Sequence, residues 1–228
     1  MASINSQGRF YIEGTIDVTL SVFAIICNGT LILAVALSSC LQTYANVFMV
    51  NLAVTDFLLA IVAAAHSVSF LVPSTLPGLN TLCAIDVAFA QICVGCSIYT
   101  LASVSVTRYI IITKSTETYK LIFQRRFIAL WIVLIWVVSA SATLLPLPFG
   151  IGKLGYHVHC DVIHGNNTQS DIYERILAVA YLPIPLVILI VCYTKIYLYI
   201  RRHNQQLRRR LDVQLGNGDD IGQDSHGL

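Results

Sequence analysis

Apolar residues fill this chain in five long stretches, and polar residues gather in the gaps between them. The stretches cover residues 16–37, 46–72, 82–112, 127–147 and 176–200. A helix needs about 20 mostly apolar residues to cross a hydrocarbon core some 30 Å thick, and each stretch meets that length. The pattern predicts an all-α transmembrane helix bundle over 16–200. A polar segment, 1–15, precedes it, and a basic segment, 201–228, follows.

Composition strengthens this reading. The chain is 56% hydrophobic and 11% charged, where a soluble domain carries roughly 25% charged residues. Such a chain has too little polar surface to cover a soluble globule. The net charge of +2 says little, but its distribution says more. Lys and Arg mark the cytoplasmic side of membrane proteins. The gap after the third stretch holds Arg108, Lys114, Lys120, Arg125 and Arg126, and the last segment holds Arg201, Arg202, Arg208, Arg209 and Arg210. The opposite side holds Arg9, Lys153 and Arg175. The N-terminus is therefore expected outside and the basic segment inside. Residues 1–14 lack the basic-then-apolar pattern of a cleaved signal peptide, so the first stretch is expected to insert directly.

Seven cysteines divide by compartment. Cys27, Cys93, Cys96 and Cys192 fall within spans, where a free thiol behaves as a small hydrophobe, and Cys40 faces the reducing side. Cys83 and Cys160 fall on the oxidising side, where disulfides persist. A Cys83–Cys160 bridge would tie the long outer loop to the third helix. That loop also carries the sequon Asn166-Asn167-Thr168, a candidate glycosylation site. Its His157, His159, Cys160 and His164 resemble a small zinc cluster. The bridge would take Cys160, and a tetrahedral site would lack a fourth ligand, so no metal is assigned there.

Asp56 lies near the middle of the second stretch. An ionisable residue at that depth is costly and points to function. Asn28 and Ser97 sit at comparable depth, and the three predict a polar intramembrane cluster, either holding a cation or simply joining helices.

In order along the chain stand Asn28, then Asn51-Leu52-Ala53 with Asp56, then Cys83, then Arg108-Tyr109 at 25 and 26 residues beyond it. Trp136 with Pro146, and Pro185 with Tyr193, complete the series. This set resembles the first five helices of a rhodopsin-like (class A) G-protein-coupled receptor. The resemblance implies that Arg108, in a Thr107-Arg108-Tyr109 motif, meets a heterotrimeric G protein on the inner side. It implies that Asn28, Asp56 and Ser97 belong to a sodium and water network, and that Tyr193 rearranges on activation. It also implies a plasma-membrane receptor with an extracellular ligand, no catalysis and no nucleic acid; membrane lipids are its other partners. Pro185 lacks a backbone donor and is expected to distort the fifth helix.

Three departures qualify the resemblance. Thr107 stands where the family has an acid, so only a neutral hydrogen bond is on offer to Arg108, and a weakly latched resting state is expected. No stretch after Ile200 is long and apolar enough to span. The Gly/Asp-rich segment ending at Leu228 has the composition of a disordered inner loop. The family's sixth and seventh helices are thus not among these residues. The chain is expected to be an incomplete product or a true truncation, and as written not to signal. A truncated form would instead bind and retain full-length receptors. Lastly, amine receptors carry an aspartate seven residues after the helix-three cysteine, where this chain has Ala90 followed by Gln91. Asp86, one turn outward, either substitutes for it or is simply solvated. Residues 108–120 are faintly similar to melatonin receptors. Internal repeats of a transporter, charged rings of a channel and a catalytic constellation are not visible; His66 and Asp56, ten apart on one helix, lie at different levels.

Overall fold

The structure is a computed structural model describing residues 2–69, 78–149, 153–156, 160–163 and 168–223. Five helical segments in it are long and apolar enough to cross a membrane. Helix α1 covers Ala2–Leu37, α2 Tyr44–Ser69 and α3 Leu79–Thr113. A short α4, Thr116–Ile122, leads to α5, Arg125–Leu144, and α6, Thr168–Tyr181, is followed by α7, Pro183–Gln223. A hairpin of β1, Lys153–Tyr156, and β2, Cys160–Ile163, pairs antiparallel with Lys153 opposite Ile163 and packs against α3.

The helix ends follow local chemistry. Gly78 opens α3 in the left-handed region, φ 83°, a conformation that costs glycine little. The Ser115 side chain accepts from the Thr118 N–H and caps α4. The fifth span is interrupted at Leu182, between α6 and α7. Pro183 fits the first position of a helix, where its missing N–H is not needed. Pro185 has no N–H to give the Tyr181 carbonyl one turn back, so the expected distortion falls as a break just before the prolines.

The first and last helices reach beyond their apolar stretches. The polar segment 1–15 is helical from Ala2 and continuous with α1. The basic segment, expected to be disordered, continues α7 to Gln223. Arg, Gln and Leu dominate its first turns beyond Ile200 and are good helix formers.

Helix α3 is the hub, touching α2, α5, α6, α7 and the hairpin, while α1 packs on α2. The most deeply buried side chains are small: Thr55, Thr100, Cys83, Cys93, Cys96, Ser105 and Ser139. Small residues let helix backbones approach closely, which is how helices associate in lipid without a hydrophobic drive. Large apolar side chains such as Phe23, Leu130 and Leu186 point outward. One cluster of bulky residues, Phe48, Phe123 and Ile128, with Val104, Ile110, Tyr119 and Ile132 against it, joins α2, α3, α4 and α5 near the Arg108 end.

Candidate functional site

The Cys83 end of the bundle holds a cavity of about 750 Å³. Asp86, Ala90 and Gln91, the three pocket candidates of the sequence, all line it from one face of α3, and His66 of α2, Asp17 of α1 and Tyr181 of α6 join them. His66 Nδ1 lies 3.2 Å from Asp86 Oδ2, with the two side chains 29% and 19% exposed. Asp86 is thus half-buried and partnered, not a solvated residue at the helix mouth, and His66 turns into the bundle. Sequence reading missed this pair because its members lie on different helices.

Deeper, Asp56 and Ser97 meet. The Ser97 hydroxyl donates to Asp56 Oδ1 at 2.6 Å, and Thr55 Oγ1 stands 2.9 Å from it. Thr55 in turn donates to the Leu52 carbonyl at 2.8 Å. One carboxylate and two hydroxyl oxygens make a hard donor set of the kind that suits an alkali or alkaline-earth cation. Asn28 bonds elsewhere: its Nδ2 donates to the Ala24 carbonyl of its own helix at 3.0 Å. Asn51 instead ties three helices, donating to Thr100 Oγ1 at 2.8 Å and accepting from Trp136 Nε1 at 3.1 Å. A second indole, Trp131, donates to Ser103 Oγ at 3.1 Å. An indole in an apolar run needs such a partner, but the sequence does not say which.

At the opposite end of α3, Thr107 is buried and its hydroxyl donates to the Ser103 carbonyl at 2.8 Å. It does not reach Arg108. Arg108 is exposed, with Nη2 3.3 Å from Met49 Sδ, a weak acceptor. Among the described residues Arg108 makes no ion pair. Lys195 Nζ of α7 sits 5.7 Å from the centre of the Tyr109 ring, and Tyr193 is half exposed.

Cys83 is buried and disulfide-bonded. Cys160 opens β2, and its side chain lies outside the described ones. Asn166, His157, His159 and His164 also lie outside the described residues.

Residues 27–217 match the family described as "7 transmembrane receptor (rhodopsin family)". The chain is 30% identical over 205 residues to the 5-hydroxytryptamine receptor 1F of Mus musculus, covering 88% of this chain and 55% of that protein. It is 28% identical over 200 residues to the alpha-1D adrenergic receptor of Mus musculus, covering 87% and 34%. It is 29% identical over 208 residues to "Rhodopsin, GQ-coupled" of Mizuhopecten yessoensis, covering 86% and 40%. The crystal structure of squid rhodopsin superposes with a TM-score of 0.73 at 21% identity, over 90% of this chain and 59% of that one. The chain therefore spans about half, or less, of the length of these curated relatives. The melatonin-like resemblance of residues 108–120 finds no support among them.

Proposed function

Because the chain belongs to the rhodopsin family of seven-transmembrane receptors, we propose that it takes an extracellular ligand at its Cys83 end and signals to a heterotrimeric G protein at its Arg108 end. Receptors of this family are not enzymes, and no chemical step is assigned. One observation carries the reading: a single helix, α3, lines the cavity with Asp86, Ala90 and Gln91 and presents Arg108 at its other end. At 1.5 Å per residue the two points are roughly 33 Å apart, about the thickness of a bilayer core. Ligand binding shifts the population toward conformations with higher affinity for the G protein.

Several features support this placement. The Lys and Arg excess favours an N-terminus outside, and membership of the receptor family favours the plasma membrane. The hairpin that begins β2 at Cys160 packs on α3, and five other cysteines are free, which favours Cys160 as the partner of Cys83. Asn166 then lies on the side where glycans are added. Asp56, Ser97 and Thr55 would hold a sodium ion, whose role is to brace α2 against α3.

The experiment reads the native transcript past the codon for Leu228 and measures G-protein loading with a non-hydrolysable GTP analogue in membranes carrying its product. Arg108→Ala is expected to abolish agonist-driven loading, and Ala90→Trp to block it by filling the cavity. Loading that survives both substitutions overturns the reading. Thr107→Asp places a carboxylate beside Arg108 and is expected to lower ligand-independent loading several-fold; an unchanged basal rate rejects the weak-latch explanation.

A second reading is favoured by the outward face of α7, where Leu186, Val187, Ile190 and Val191 are exposed. Lipid or further helices would cover that face. In this reading the 228-residue chain binds full-length receptors and retains them inside the cell. Co-purification with a receptor and loss of that receptor from the cell surface would support it.

A further inference from the structure

The chemistry of the cavity names a class of ligand. Leaving tyrosine aside, its described lining has three ionisable side chains, Asp17, His66 and Asp86, and no Lys or Arg. With His66 neutral the lining carries a charge of −2, and with His66 protonated −1, so it is negative in either state. A half-buried carboxylate in apolar walls has lost much of its water, and an imidazole restores only part of that stabilisation. Such a cleft concentrates cations and repels anions.

The walls below the charges are apolar. Val94 and Ile98 continue the Asp86–Ala90 face of α3 inward. At the deep end Tyr181 lines the cavity together with Thr143, and its hydroxyl is buried, as is that of Ser139. Both oxygens lie 3.0 Å from where a Cβ on Gly95 would stand, so the missing side chain lets the two hydroxyls approach α3 there.

We propose that this cavity binds an organic cation: its charged head rests on Asp86, oriented by His66 and assisted by Asp17, and its apolar body lies along Val94 and Ile98. The head sits one helical turn nearer the Cys83 end than Ala90. Carboxylate- or phosphate-headed ligands are disfavoured. The inference rests on the reading of this cavity as the ligand site.

Thiol labelling tests both levels separately. Ala90→Cys and, as a second position, Val94→Cys are introduced into the full chain in membranes. Each is reacted with a neutral, a cationic trimethylammonium-ethyl and an anionic sulfonatoethyl methanethiosulfonate, and modification is read at that residue by mass spectrometry. The ratio of cationic to anionic rate at one residue cancels its thiolate fraction, and dividing by the same ratio for a free thiol in solution cancels the reagents' intrinsic reactivities. The ratio is expected to reach at least ~10, the lower end of focusing by a charged cleft. Asp86→Asn should lower it several-fold and Asp17→Asn less. If the neutral reagent modifies both positions but the ratio stays near that of the free thiol, the cation inference is wrong and the cavity stands. If the neutral reagent modifies neither position in chains that retain the Cys83 disulfide, the cavity reading falls, and this inference with it.

Discussion

Phe48, Phe123 and Ile128 fill the bundle near Arg108, whereas at the Cys83 end α1, α2, α3, α5 and α6 part around a cavity of about 750 Å³. The filled end is closed by shape: Phe48 is 2% exposed and meets the Trp131 ring edge-on with centroids 6.1 Å apart. The open end is held by polar contacts, the His66–Asp86 pair among them. Close-packed interiors transmit strain and have few alternatives. An end held by separable polar contacts can exchange partners. The contrast sets packing at one end against separable polar contacts at the other, with the Asn51 junction between them.

The largest expected effect falls on the packed end. Phe48→Ala should lower the unfolding free energy in lipid by about 2 kcal/mol, mostly from the cavity it leaves. The transfer contribution is small there, because lipid is as apolar as the core. Reversible unfolding in bicelles would measure it. The labelling ratio at Ala90→Cys reads the charge of the cavity and should stay unchanged; a shift would mean that the packed end also shapes the cavity.

Removing the junction is expected to matter less. Asn51→Leu leaves Thr100 and the Trp136 indole without their partner on α2. Two interhelical bonds of average membrane strength are together worth about 1 kcal/mol. The same unfolding assay would register it, and Thr100→Val should reproduce roughly half of it. No loss in either variant would show that the junction contributes nothing to holding α2, α3 and α5 in register.

The smallest effect belongs to the open end. A double-mutant cycle on His66→Ala and Asp86→Ala should give a coupling of about 0.5 kcal/mol, as for other partly exposed pairs. A coupling above 2 kcal/mol would make this pair a structural clamp and remove the contrast between the ends.

Much of this was legible in the chain. Five spans follow from length and apolarity alone, because lipid leaves a backbone few other solutions. Asp56 and Ser97 were paired from depth, since residues at one level of a bundle are within reach of each other. Asn28 sits at that level too, yet its amide bonds to Ala24 within α1. Depth does not reveal which way a side chain turns. The His66–Asp86 pair joins residues 20 apart on neighbouring helices, and the Trp131–Ser103 bond joins residues 28 apart. Rotation of each helix about its axis decides both, and a nearly uniform apolar surface gives little sign of that rotation. The break at Leu182 shows the same limit: prolines announce a distortion, but packing fixes where the chain gives way.

The centrality of α3 bears on how the protein is made. Of the five spans it is the least apolar, and its buried face carries Ser103, Ser105, Thr100 and Thr107. Alone in lipid such a helix would be the poorest of the five at staying inserted. During synthesis it leaves the ribosome before α5 and α7 exist. Until they arrive, α2 is the one α3 neighbour with extensive contacts already made, so the helix that organises the finished bundle gains much of its packing last.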